Sequence, residues 1–263
     1  MSKNCIITGG SSGIGLATAR EMFAEGYTVY EISRRAEGPN AVYHFSCDVT
    51  DEAAVQRTVA AIREQAGTID VLVNCAGFGI SGAVEFTELS DAKRQIEVNF
   101  FGMVNMNKAV IPVMREQGHG RIINLSSVAG TIPIPFQTYY SASKAAINSY
   151  TMATANEIKP FGVQMCAVQP GDMATGFTAA RKKSTVGDDI YEGRIARSVA
   201  GMEKDETTGS SPDMAGRFIR RIATKKSVKP INTIGFKYRF FCFLVKILPA
   251  KFVNFLVGQI YAK

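Results

Sequence analysis

From Lys3 to Val168 the chain keeps alternating short β-branched runs with stretches of helical spacing, a rhythm that few folds accommodate. Lys3–Thr8 is rich in Ile and stops at Gly9-Gly10, and Ile14–Glu25 then shows helical spacing up to Gly26. Tyr27–Ile32 and Val42–Cys47 read as strands, followed by a helix over Asp51–Gln65 that Thr50 or Asp51 can cap. Ile69–Asn74 is a fourth strand, and Ser90–Gln117 a long helix that Pro112 can kink. Arg121–Leu125 is a fifth strand, Thr138–Lys159 a helix stopped by Pro160, and Gly162–Val168 a sixth strand. Pro212–Ala223 reads as a helix and Val228–Ile234 as a last strand. The alternation predicts an α/β fold, a doubly wound three-layer αβα sandwich with a mostly parallel sheet of about seven strands.

One domain suffices for 263 residues, with the nucleotide-binding and catalytic body over residues 1–235. Residues 172–211 are polar and carry the Arg181-Lys182-Lys183 cluster without strong periodicity. Following the sixth strand, they are expected to cover the ligand crevice at the carboxyl edge of the sheet; the simpler alternative is a surface insertion. Residues 236–263 form a basic, apolar helical extension of the same domain.

Charge is distributed unevenly. Ala215–Lys263 holds 11 Lys or Arg and no Asp or Glu, whereas the other 19 basic and 23 acidic residues leave Met1–Met214 at −4. Cys5, Cys47, Cys75, Cys166 and Cys242 form no Cys-x-x-Cys pair, and the two histidines, His44 and His119, are far apart. Reduced thiols and chemistry without a metal are therefore expected. The first strand begins at once, without a signal or transit peptide, so a cytoplasmic location is the default expectation.

Two constellations carry chemistry. Thr8-Gly9-Gly10-Ser11-Ser12-Gly13-Ile14-Gly15 joins the first strand to the first helix, where glycines let backbone approach a pyrophosphate at a helix N-terminus. Tyr140-Ser141-Ala142-Ser143-Lys144 places an ammonium one helical turn beyond a phenol. Such a neighbour favours the phenolate, and the pair can pass a proton to or from a substrate oxygen.

With these motifs the chain resembles the short-chain dehydrogenase/reductase family in its compact, single-domain, Rossmann-type branch. The spacing Thr-Gly-x-x-x-Gly-x-Gly is matched, as is the turn Asn74-Cys75-Ala76-Gly77, with Cys75 in place of a second Asn. Asp48-Val49 matches the pair that meets an adenine ring, and Asn99 the helical asparagine that holds a proton-relay water. Ser127 lies 13 residues before Tyr140, as the family's serine does, and Pro170-Gly171 with Thr175 matches the segment at the nicotinamide carboxamide. The resemblance implies a catalytic set of Asn99, Ser127, Tyr140 and Lys144. It implies cofactor binding by Gly9, Ser11, Ser12, Gly13, Ile14, Gly15, Asp48, Val49, Asn74, Ala76, Gly77, Tyr140, Lys144, Pro170, Gly171 and Thr175. Lys144 would hold the ribose hydroxyls and lower the Tyr140 pKa.

Cofactor choice is read at Ser33-Arg34-Arg35. A small hydroxyl stands where relatives that prefer NAD place an acid, and the arginines suit a 2′-phosphate, so NADP(H) is expected. With Lys229-Pro230 before the last strand and Leu248-Pro249 between two apolar helices, the C-terminal part resembles the 17β-hydroxysteroid and retinol dehydrogenase subgroup. That implies a lipophilic alcohol or ketone, such as a steroid, a retinoid or a long-chain lipid, with a 3-ketoacyl or keto-sphingoid group as the alternative. Residues 236–263 could pack on the domain or a sister subunit, roof the pocket, or lie peripherally on an anionic membrane. Homodimers or homotetramers paired through the long helices are expected from the family; nucleic acid is not, given apolar residues interleaved with the basic ones. A non-catalytic NADP(H)-sensing protein is the alternative of another class, and an epimerase or dehydratase fits the glycine spacing less well.

Overall fold

A computed structural model describes residues 3–263. Its central sheet has seven parallel strands in the order β3-β2-β1-β4-β6-β7-β9. The N-terminal half comprises β1 (Lys3–Thr8), α1 (Gly13–Ala24), β2 (Tyr27–Ser33), β3 (Tyr43–Ser46), α2 (Glu52–Ala66), β4 (Val71–Asn74) and a short β5 (Ile80–Ser81). Next come α3 (Leu89–Ile96), a π-helical stretch over Glu97–Phe101, α4 (Gly102–Gln117), β6 (Gly120–Leu125), α5 (Thr138–Ile158) and β7 (Val163–Gln169). The remainder is α6 (Phe177–Ala180), β8 (Lys182–Lys183), α7 (Arg194–Thr207), α8 (Pro212–Thr224), β9 (Ile231–Thr233), α9 (Phe236–Ile247) and α10 (Ala250–Tyr261).

Period-two alternation divides the strand side chains between two cores. Ile6, Leu72 and Ile122 join Val55, Val59, Ile62, Met106 and Val110 on one face. Cys5, Ile7, Val71, Val73 and Ile123 join Ala19, Met22, Ile219 and Ile222 on the other. Strands buried on both sides are expected of parallel sheets, whose crossover helices cover both faces. The pairing of α1 with α8 depends on Gly216, because a Cβ there would lie 2.8 Å from the Ala17 backbone.

The chain order reverses between β1 and β4, which pair from Cys5↔Val71 to Thr8↔Asn74. Their carboxyl ends thus frame the crevice in which open α/β sheets bind ligands. Three expectations need adjustment. The break in the long helix falls at Glu97–Phe101, around Asn99, while α4 runs on through Pro112. The last strand is shorter than expected, at Ile231–Thr233 on the sheet edge after Pro230, which lacks the N–H a central strand would need.

The segment 172–211 has more order than its polarity suggests. Ile195, Ser198, Val199 and Met202 of α7 are buried at helical spacing and pack with Ala83, Phe86, Ile134, Phe136 and Tyr261. Its basic cluster is dispersed among acids: Arg181 pairs with Glu206, Lys182 with Asp91 and Lys183 with Glu203. Of the cysteines, Cys5, Cys47, Cys166 and Cys242 are buried, Cys75 is half-buried, and none is in a disulfide.

Candidate active site

A cleft of about 300 Å³ opens at the carboxyl edge of β1, β4, β6 and β7. Its floor is the loop between β1 and α1, which Gly9 anchors by donating its N–H to the Ile32 carbonyl at 2.8 Å. Gly9 and Gly13 adopt left-handed φ of 66° and 53°. At Gly15 the limit is space: a Cβ would lie 2.2 Å from the Gly9 carbonyl oxygen. The α1 N-terminus consequently faces the cleft with no side chain capping it and no acid in its first turn. Free N–H groups at a helix start suit an anionic pyrophosphate. On this donor set the loop fits a dinucleotide.

Opposite the floor stand Ala76, Gly77, Pro170, Gly171 and Thr175, with Thr175 Cβ 3.6 Å from where a Gly13 Cβ would be. Thr8 Oγ1 accepts from the N–H groups of Cys75 at 3.1 Å and Ala76 at 3.2 Å, fastening this wall to β1.

Ser127, Tyr140 and Lys144 line the same cleft. Ser127 opens the turn after β6, its Oγ accepting from Ala129 N–H at 3.1 Å, and its hydroxyl pulls on the Tyr140 phenol across the cleft. Ser126 Oγ donates to the Lys144 carbonyl at 3.0 Å, and Gly130 allows the turn to touch α5, since a Cβ would lie 2.6 Å from the Lys144 carbonyl carbon. Backbone contact between turn and helix therefore sets the serine–tyrosine geometry.

The electrostatics depart from expectation. Burial pushes the Tyr140 phenol up to about 12, against the pull of the Ser127 hydrogen bond and then the Arg181 cation. Burial also pushes the Lys144 ammonium down to about 8, opposed by Cys75. Lys144 Nζ donates to the Leu125 carbonyl at 2.8 Å and sits 5.6 Å from the Tyr140 ring centre. The lysine is thus near the ring but directed at backbone, and the cation that lowers the tyrosine comes from the covering segment instead. Arg181 lies 5.5 Å from the Phe177 ring centre, and Phe177 meets the Tyr140 ring at 5.6 Å.

Asn99 is buried behind this group in the π-helical stretch. Its Oδ1 accepts from Phe78 N–H at 2.9 Å, and its Nδ2 donates to the Phe78 carbonyl at 2.9 Å and to Ser143 Oγ at 3.2 Å. π-bulges recur at functional sites, and this one turns Asn99 toward Gly77, whose Cβ would lie 3.0 Å from Oδ1 and 3.9 Å from Lys144 Nζ.

Other expected positions lie off the cleft wall. Asn74 is buried and donates to Asn107 Oδ1 at 2.8 Å and Asn124 Oδ1 at 2.9 Å, in a chain that Asn124 continues to Thr151 Oγ1 at 3.0 Å. It braces β4, α4, β6 and α5 beneath the site. Val49 packs under α4, where a Cβ on Gly102 would come within 2.6 Å of it. Asp48 accepts from Thr50 N–H at 3.0 Å and Thr50 Oγ1 at 2.8 Å. Burial pushes its carboxyl up, but these bonds, with Arg34 and Arg94, hold it below its usual value. Ser33 ends β2, with Arg34 and Arg35 exposed beyond it.

Sequence reasoning missed several cleft residues. Tyr238 of α9 lies on Gly171, where a Cβ would fall 2.2 Å from its ring, and donates its hydroxyl to Asp172 Oδ2 at 2.5 Å. Tyr261, Asp205 and Glu206 also line the cleft, and Glu206 accepts from Thr178 Oγ1 at 2.5 Å as well as pairing with Arg181. No local pattern marks these residues; contacts between distant segments create their positions.

Comparison with known proteins agrees with this geometry. A model of the short chain dehydrogenase family matches residues 3–185. The chain is 42% identical over 225 residues to a 3-ketodihydrosphingosine reductase of Bacteroides thetaiotaomicron, covering 84% of each protein. It is 31% identical over 255 residues to the probable short-chain type dehydrogenase/reductase VdlC of Helicobacter pylori, covering 95% of this chain and 94% of the other. Among solved structures, a short-chain dehydrogenase from Streptomyces avermitilis superposes with a TM-score of 0.85 at 28% identity, covering 98% of this chain and 96% of that one. ElxO with NADP bound superposes with a TM-score of 0.76 at 25% identity, covering 91% and 100%.

Proposed function

The chain belongs to the short-chain dehydrogenase/reductase family of oxidoreductases acting on CH–OH groups, and from that premise we propose that it is an NADP(H)-dependent reductase of a long-chain amino ketone, a 3-keto-sphingoid base. The observation that carries the chemistry is the convergence of Ser127, Tyr140 and Lys144 on a cleft floored by the glycine loop. When bound, the reduced nicotinamide supplies hydride to the carbonyl carbon. Ser127 donates a hydrogen bond to the substrate oxygen as negative charge develops there. Tyr140 delivers its phenolic proton to that oxygen, completing the alcohol. Lys144 holds ribose hydroxyls, and Asn99 supports the water that returns a proton to Tyr140.

The substrate reading rests on the relative's name and on Asp172 and Asp205 at the cleft, whose carboxylates suit an ammonium beside the ketone. A steroid or retinoid offers them no cation. Asp205→Asn is expected to raise KM for 3-ketodihydrosphingosine while leaving KM for the matching ketone without the amine unchanged. Equal effects on both would remove the ammonium role. Copies are proposed to pair through α4 and α5, whose shared outer groove includes Ile111, Pro112 and Tyr150.

Two further expectations concern the cofactor. Arg34 supplies charge-assisted bonds to the 2′-phosphate, so Arg34→Ser should weaken NADPH by about 10- to 100-fold and leave NADH little changed. Titration of both nucleotides checks it. The second is a pH dependence. Lys144 is charged below about pH 8 and loses that charge above it, while Tyr140 stays protonated until about 12. Because kcat/KM reports the free enzyme, kcat/KM for reduction should fall as pH rises above about 8. A flat profile through pH 10 would remove the requirement for the lysine charge.

A further inference from the structure

Both C-terminal helices bear a second apolar face turned to solvent. On α9, Phe236, Phe240, Phe243 and Ile247 recur at steps of four and three residues and therefore share one stripe. They are 77%, 48%, 58% and 60% exposed, while Cys242 on the opposite face is buried. On α10, Phe252, Phe255, Leu256 and Ile260 form a matching exposed stripe opposite the half-buried Tyr261. A helix that merely packs on its own domain needs only the inward face. Tyr238 near the start of α9 and Tyr261 at the end of α10 line the same cleft, so the pair folds as a hairpin whose open end borders the active site.

We propose that the α9–α10 hairpin lies in the interface of an anionic lipid bilayer, with its outward phenylalanines among the headgroups, and so brings the cleft beside the membrane. The charge pattern selects this occupant. Lys237, Arg239, Lys246 and Lys251 are all exposed on the hairpin, and neither Asp nor Glu occurs anywhere in Ala215–Lys263. On the α9 wheel, Lys237 lies to one side of the aromatic stripe and Arg239 and Lys246 to the other. Against a second copy, a two-fold interface would set these same cations on one another with nothing to neutralise them. Acidic headgroups supply that charge, and phenylalanine and leucine insert between them. No helix among the described residues is long and apolar enough to cross a membrane, so the helices lie in the plane of the interface.

The test is co-sedimentation of the full chain with phosphatidylcholine vesicles, with and without phosphatidylserine, alongside light scattering of the protein alone. Binding is expected to the phosphatidylserine vesicles, weaker to phosphatidylcholine, and to fall with added salt. The pair Phe243→Glu and Phe255→Glu should abolish it, and Lys246→Gln with Lys251→Gln should weaken it by about 30-fold. All four side chains are exposed, and circular dichroism checks that the variants remain folded. Binding is read without turnover, so failure of the proposed reduction would leave this result standing. Absence of vesicle binding, or binding indifferent to the phenylalanines, overturns the proposal. So does a solution dimer that Phe243→Glu dissociates while vesicles are ignored, which would give the face to a second copy.

Discussion

Tyr140→Phe is expected to lower turnover by about 10²–10⁴-fold while cofactor affinity stays nearly unchanged. Phenylalanine keeps the ring and hence its contact with Phe177 at 5.6 Å, so the shape of the cleft survives. Ser127 keeps its contact with the Ala129 N–H. What disappears is the phenolic proton that lines the cleft beside the serine. The alternative, that Tyr140 is a packing residue beneath the covering segment, predicts turnover close to that of the unaltered protein. Single-turnover rates with NADPH, together with a binding titration, separate the two. Retained turnover would withdraw the assignment of the acid.

The second large effect is expected at Gly15. In Gly15→Ala the new methyl would meet the Gly9 carbonyl oxygen at 2.2 Å, and that oxygen belongs to backbone already anchored through the Gly9 N–H to Ile32. Neither side can yield cheaply. Moving the loop away from α1 would press Gly9 toward Ala76, where a Gly9 Cβ would already lie 2.9 Å from the Ala76 nitrogen. Overpacking of this kind costs about 1–3 kcal/mol. The displaced N–H groups should also lose roughly tenfold or more in dinucleotide affinity. Thermal melts with and without NADPH check both parts: the variant should melt lower and gain less from the nucleotide. An unchanged melt and affinity would mean that the loop holds the cofactor by another surface.

Residues that act through local spacing were legible before any coordinates. Tyr140 and Lys144 share a helix, Gly9–Gly15 span one turn, and Ser127 follows a strand whose apolar run is plain. For the tyrosine–lysine pair and the glycine turn, period and turn chemistry suffice, because covalent proximity confines each group to a few ångströms, whereas Ser127 stood out only through the family resemblance. The seven-stranded parallel sheet was legible for the same reason, since each strand and helix displayed its own burial pattern.

Some features of the site go beyond what local spacing expresses, and for a common reason. Lys144 was expected to lower the tyrosine, yet burial raises the phenol and Arg181, reached through Phe177, is the cation that opposes it. That pairing requires α6 to settle over α5, which no neighbouring residue announces. Likewise, Asn74 matched a cofactor-contact motif, but the meeting of β4, α4 and β6 turns its amide into an asparagine chain inside the protein. Tyr238, 67 residues beyond Gly171, reaches that glycine only because β9 returns the chain to the sheet edge.

The sequence by itself therefore determined the layered α/β architecture, the glycine turn and the placing of Tyr140 and Lys144 one helical turn apart, all set by contacts within a few residues, while Ser127 entered through its resemblance to the family pattern. Tertiary structure alone decided how deeply those groups are desolvated, which cation faces the tyrosine and which tail residues wall the cleft. Desolvation and charge act through space and depend on what long-range packing brings near, so they come into being only when the chain closes on itself.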